Sequence, residues 1–254
     1  EFRRVLFRSI MGIKISGFQV GASFSLPQYG PSPTYYATGF GSQHGGTGLI
    51  QVSFDAPANS TTLVFTSQDA GYNDNDQWIQ GYNWAVARQN GGATYWEYLN
   101  VSTKDNSTSV TNEIATSTGF SAGNWIAIAE SLKGVSAVPS LVDVFSGESS
   151  SNSQTTFPVT VNDGEIIVLS TAVELGTSYA TVTTPGLTWI RKSSKSVLSS
   201  FSNVDAQTME IWYAINTSGS TINETTAITY SGNYDDAAAV ALTYSGVDLA
   251  SPWA

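Results

Sequence analysis

Apolar and polar residues alternate along most of this chain with the two-residue period of half-buried strands. In GLIQVSFDA (48–56), Ile50, Val52 and Phe54 alternate with polar positions. TTLVFTS (61–67) is a short apolar run, and YNWAVARQ (82–89) sets Trp84, Val86 and Arg88 against Ala85 and Ala87. ATYWEYLNVST (93–103), rich in aromatics, precedes TSVTNEIATS (108–117) and NWIAIAESL (124–132). Clusters of Gly, Asn, Asp and Ser separate these runs, as turns require. The second half continues in the same style with QTTFPVTV, EIIVLSTAV, TWIRKS, TMEIWYAI, STINETTAITY and AAAVALTYS. Nowhere does an apolar stripe recur at helical spacing. DAAAVALTY is alanine-rich, which favours helix, but it ends in Thr-Tyr-Ser-Gly and follows a series of strands, so it predicts a buried strand. The fold class predicted is all-β.

The strand signals recur in one order. VSFDAPANSTTLVFTSQDAG corresponds to VTVNDGEIIVLSTAVELG, and Trp84 in YNWAVARQ to Trp189 in LTWIRKSS. Trp96 falls near the place of Trp212, and TSVTNEIATSTGFSAGNWIAIAESLKGV runs beside STINETTAITYSGNYDDAAAVALTYSGV. This predicts two tandem antiparallel β-sandwich domains of Ig-like or jelly-roll topology, at 38–136 and 142–254, with a linker at 137–141. Each has the length such a sandwich needs. Trp84, Trp96, Trp125, Trp189 and Trp212 are expected in or near the cores. Residues 11–37 hold IKISGFQVGASFSL, an extended-looking segment outside both repeats, expected to add a strand to its own domain or to a neighbour. EFRRVLFRS at the start resembles a translated sequencing adapter, so 1–10 reads as an artefact or disordered lead-in; Met11 is then one candidate start, the alternative being that the encoded start is missing from this sequence. LASPWA (249–254) reads as the first residues of a further linker.

Composition narrows the function classes. The 254 residues carry 10 Lys and Arg against 20 Asp and Glu, a net charge of −10, and Arg3, Arg4 and Arg8 fall within the first eight positions. Only Arg191, Lys192 and Lys195 cluster later. A duplex binder neutralises many phosphates, so nucleic acid is not an expected partner. There is no cysteine, hence no disulfide or thiolate chemistry. No apolar run reaches membrane-spanning length. Charged residues are 12% of the chain, and the remainder of the polar surface is Ser, Thr, Asn and Tyr, which suits an extracellular, cell-surface or virion setting.

The segment 155–253 resembles a β-sandwich module of secreted bacterial, phage virion and metagenomic surface proteins. The residues carrying the resemblance are VTVNDGEIIVLSTA, TVTTPGLTWIRKSS, MEIWYAINTSGSTI and the closing AITYSGNYDDAAAVALTYSGVDLASPW. The first half fits more loosely, with Ser136 standing where the second has Asp248. The resemblance implies a non-enzymatic accessory module. In the closing motif, Gly246 suits a left-handed turn, Asp248 a backbone cap and Pro252 the end of strand pairing.

Candidate chemistry is sparse. His44, the only histidine, sits in GFGSQHGGTG without a nucleophile elbow or a carboxylate partner, so no triad is expected. QDAGYNDNDQW places Asp69, Asp74 and Asp76 close together, a candidate oxygen-rich site for structural calcium, or else turn caps. Asp235 and Asp236 offer a second, weaker pair. No other cofactor is expected. Tyr72, Asn75, Trp78 and Tyr82 surround the acidic loop, combining flat apolar faces with hydrogen-bonding groups in the manner of a sugar platform. Asn59, Asn100, Asn106, Asn216 and Asn223 each open an N-x-[ST] sequon. The expected function is a non-enzymatic surface or virion structural subunit, self-associating or binding neighbouring subunits, and assembling through strand addition. The alternatives are a carbohydrate- or surface-ligand-binding adhesin module and, third, a secreted glycan-active enzyme.

Overall fold

The structure is a computed structural model that describes residues 39–43, 51–70, 82–90, 97–116, 123–150, 154–174, 179–197, 207–232, 234 and 236–254. All lie in the compact unit Tyr35–Ala254. The lead-in 1–10 and the extended segment 11–37 lie outside the described residues.

The described residues are all-β. In chain order the strands are β1 (Gly39–Gln43), β2 (Gln51–Ala56), β3 (Ser60–Ala70), β4 (Asn83–Asn90), β5 (Glu97–Asn106), β6 (Val110–Thr116) and β7 (Gly123–Lys133) in the first half. The second half supplies β8 (Ser140–Ser150), β9 (Thr155–Val161), β10 (Ile166–Glu174), β11 (Ala180–Thr183), β12 (Ile190–Val197), β13 (Gln207–Ile215), β14 (Ile222–Tyr230) and β15 (Asp236–Ser245). The alanine-rich run is therefore a strand, β15, buried along nearly its whole length.

Two five-stranded antiparallel sheets dominate, ordered β1-β7-β3-β5-β4 and β12-β13-β10-β15-β8. Reversing the first gives β4-β5-β3-β7-β1, and each strand then matches its counterpart in the second. A two-stranded sheet β2-β6 and a three-stranded sheet β11-β14-β9 complete the set. Here β2 and β6 correspond in position to β9 and β14.

Side-chain alternation distributes these sheets into layers. On β3, Leu63 and Phe65 enter one cluster while Val64 enters another with Val52, Phe54 and Ala56 of β2. On β15, Ala238, Val240, Leu242 and Tyr244 face one way, whereas Ala237, Ala239 and Ala241 face β9, β11 and β14. The central strands of each five-stranded sheet are thus buried on both faces, which is why IIVLSTAV and AAAVALTY read as near-continuous apolar runs rather than clean alternation. Among the described residues the most extensive cluster lies between the two five-stranded sheets, joining Leu63, Phe65, Leu99 and Ile128 of the first half to Ile166, Met209, Val240 and Leu242 of the second. Each fully buried Leu, Ile or Phe there stabilises the fold by about 1.5–3 kcal/mol through removal from water.

The residues read as linkers take part in this structure. Pro139 is buried, with its carbonyl 3.3 Å from Thr61 Oγ1. At the chain's end, the expectation that LASPWA begins a linker is corrected. Asp248 N donates to Lys133 O at 2.8 Å, Lys133 N to Pro252 O at 2.9 Å and Ala254 N to Ser131 O at 3.1 Å. β1 pairs with residues 125–129 of β7, and this tail occupies the same edge beside 131–135. Ordering follows from hydrogen bonding: β7's free backbone groups at Ser131 and Lys133 are satisfied by the tail. Trp253 packs against the central cluster and meets Tyr213 edge-on at 5.3 Å.

Candidate functional site

The predicted ligand and metal residues distribute unevenly. Tyr72, Asp74, Asn75, Asp76 and Trp78 lie outside the described residues. Asp69 stands in β3 opposite Glu97 of β5 and Asn124 of β7. Tyr82 is half-buried and packs against the outer cluster of the first half. Its hydroxyl donates to Glu113 Oε1 at 2.7 Å, Lys104 Nζ also holds that oxygen, and the same ammonium lies 5.4 Å from the Tyr82 ring centre. Burial, and then the Glu113 carboxylate, push the Tyr82 hydroxyl far above its ordinary pKa of 10.0. Asp236, of the second acidic pair, is buried at the start of β15, and Asp235 and His44 lie outside the described residues. Among the described residues no cluster of three or more His, Asp or Glu is placed to hold a metal.

Several carboxylates serve the framework. Glu210 is buried and accepts Arg191 Nη1 at 2.8 Å, Ala180 N at 2.8 Å and Trp212 Nε1 at 3.3 Å. The Arg191 guanidinium lies 5.4 Å from the Tyr179 ring and 6.0 Å from that of Trp212, a cation–π stack. Glu165 accepts the backbone and side-chain N–H groups of Asn162, at 2.8 and 2.9 Å, fixing the turn into β10. Glu130 reaches Lys192 across the two large sheets at 3.7 Å. Trp189 and Trp212 pack against the outer cluster of the second half, near-core as expected, and Trp189 Nε1 donates to Thr184.

In the closing motif Gly246 and Asp248 have the roles their residues suggest, whereas Pro252 does not end strand pairing: its carbonyl accepts Lys133 N, and Trp253 and Ala254 pair with β7 beyond it. Gly246 sits at φ +74, in the region that favours glycine. Asp248 receives Lys133 Nζ at 3.1 Å, and this bond, with backbone N–H groups of Ser251 and Ala250, lowers its carboxyl below the ordinary 3.8. The sequons divide. Asn59 and Asn223 are exposed, but Asn100, Asn106 and Asn216 are buried. Asn216 Nδ2 donates to Val161 O and Ser220 O, both at 2.8 Å. A glycan on any of the three buried amides is incompatible with this fold.

A cleft that periodicity alone did not reveal opens at one end of the central interface. Three strands change character there on the same face. On β3, Leu63 gives way to Thr61; on β5, Leu99 and Val101 give way to Thr103 and Asp105; on β15, Leu242 gives way to Tyr244. Asn83 at the start of β4 adds an amide, and Pro139 and Leu141 add apolar surface, around a volume of about 470 Å³. Thr61 Oγ1 donates to Asp105 Oδ1 at 2.9 Å. Tyr244 is 1% exposed, yet its hydroxyl has no hydrogen-bond partner. Burial and, secondarily, the Asp105 charge raise its pKa well above 10.0, so it is a neutral hydroxyl. The signal in the sequence is real, since each strand ends in a polar residue, but it converges only once register is known.

Among the described residues no helix is long and apolar enough to cross a membrane. Comparison with protein-family profiles, with curated proteins and with solved structures found no match.

Proposed function

We propose that the chain is a non-enzymatic structural subunit of an extracellular or virion surface, in which two duplicated β-sandwich modules act as one rigid block. The observation that carries this reading is the cluster shared by Leu63, Phe65 and Leu99 with Ile166, Val240 and Leu242. Domains that move relative to one another meet at small, polar interfaces, whereas here one buried apolar cluster takes residues from both halves. The strap formed by 246–254 adds backbone pairing to the same junction. Buried Glu210, Glu165 and Glu130 are engaged by Arg191, Asn162 and Lys192, a structural use of carboxylates.

Assembly with other subunits follows from the sheet edges. β8 and β12 are the outer strands of their sheet, and Leu141, Val142 and Ile190 on them are exposed. Edges that no described strand covers, carrying apolar side chains, invite strand addition. Electron microscopy and sedimentation of the purified chain test this. Regular filaments, or oligomers growing with concentration, support it; monodisperse monomers at every concentration overturn it.

A further inference from the structure

The cleft at the end of the central interface contains a buried polar group that the fold leaves unsatisfied. Leaving a buried hydroxyl unpaired is unfavourable, and the Tyr244 side chain lines the cleft beside Thr61, Thr103 and Asp105. Asp105 receives Thr61 at Oδ1, and the exposed Asp105 and Asn83 and the half-buried Thr103 line the cleft beside Tyr244. The volume, about 470 Å³, falls within the roughly 300–1,000 Å³ of small-molecule sites. We propose that this cleft binds a neutral polyhydroxylated ligand, a sugar residue of a glycan.

Three features select that class. A carboxylate, two hydroxyls and an amide offer alternating acceptors and donors, the pattern that recognises adjacent sugar hydroxyls. Pro139 and Leu141 provide an apolar wall for the C–H face of the ring. A calcium ion would need about six to eight oxygen ligands, but the cleft has one carboxylate, already half used by Thr61. An anionic ligand would meet that carboxylate at close range. The site is separate from the Tyr82–Glu113 pair, because Thr103 and Asp105 point to the inner face of β5 and Lys104 to the outer. The proposal stands whether or not the chain assembles.

Saturation-transfer NMR on the full chain with glucose, galactose, mannose, rhamnose and N-acetylglucosamine tests it, alongside Tyr244→Phe and Asp105→Asn. At least one sugar is expected to show transfer, with affinity falling about tenfold in each variant through loss of one good hydrogen bond. Tyr244→Phe removes the unsatisfied hydroxyl and is expected to melt no lower than the parent. Should it fail to fold, Asp105→Asn, at an exposed position, carries the test. Transfer from none of the sugars overturns the proposal, leaving a water-filled cleft. Binding undiminished in the variants places the sugar elsewhere and overturns it too. Stabilisation by calcium that Asp105→Asn abolishes overturns it in favour of a cation site.

Discussion

Gly134 and Gly246 occupy corresponding positions in the closing turns KGVS and SGVD, but for different physical reasons. Gly246 has open space around a notional Cβ and is confined to glycine only by φ +74. At Gly134 a Cβ would meet the Ala137 carbonyl oxygen at 1.7 Å, backbone that cannot swing aside. Gly246→Ala should cost about 1–2 kcal/mol, and Gly246→Asn less, since Asn tolerates the left-handed region. Gly134→Ala should cost about 1–3 kcal/mol through overpacking, with no relief from Asn. Urea denaturation of the four variants checks the contrast; equal behaviour of the two Asn variants would contradict it. Tyrosine titration is a second test at this scale. Burial raises Tyr82, Tyr230 and Tyr244 above the 10.0 at which unfolded tyrosine ionises. Their contribution to stability is therefore full below that pH and is lost as the solution becomes more alkaline. Near-ultraviolet absorbance should show these phenols ionising only together with unfolding.

Among the elements, the C-terminal strap departs furthest from expectation. Its composition, with Pro and Ser between small residues, reads as a linker, and nothing local says that it will lie along the free edge of β7. What decides the matter is tertiary: β1 ends its pairing at Ala129, leaving Ser131 and Lys133 with unsatisfied backbone groups. In the second half, β8 covers β15 along its whole length and no such gap exists. The strands themselves were legible, because β2, β9 and β14 alternate, and β10 and β15 are too short and β-branched or too closely followed by turn residues to be helices. The sharing of a core between halves was not, since a strand buried on both faces does not announce its second partner. Tyr72, Asp74, Asn75, Asp76 and Trp78 stand out by local composition, whereas Asp105 and Tyr244 converge only through strand register. Trp253→Ala should lower stability by about 1–3 kcal/mol, the loss of a large, partly buried aromatic side chain from the edge of the cluster. Thermal denaturation checks this; an unchanged melting temperature would mean that the strap is not part of the folded core.

At the scale of the whole molecule, the account rests on the two halves acting as one body. Each has its own outer sheet and its own smaller cluster, so each could in principle open alone. Their large sheets, however, bury Leu63, Phe65, Leu99, Ile128, Ile166, Met209, Val240 and Leu242 against one another, and separating them would expose that surface to water. Differential scanning calorimetry of the intact chain puts this claim to its most direct test. A single endotherm with a calorimetric to van't Hoff enthalpy ratio of about 1 is the predicted result. Two resolved transitions, one for each half, would contradict it.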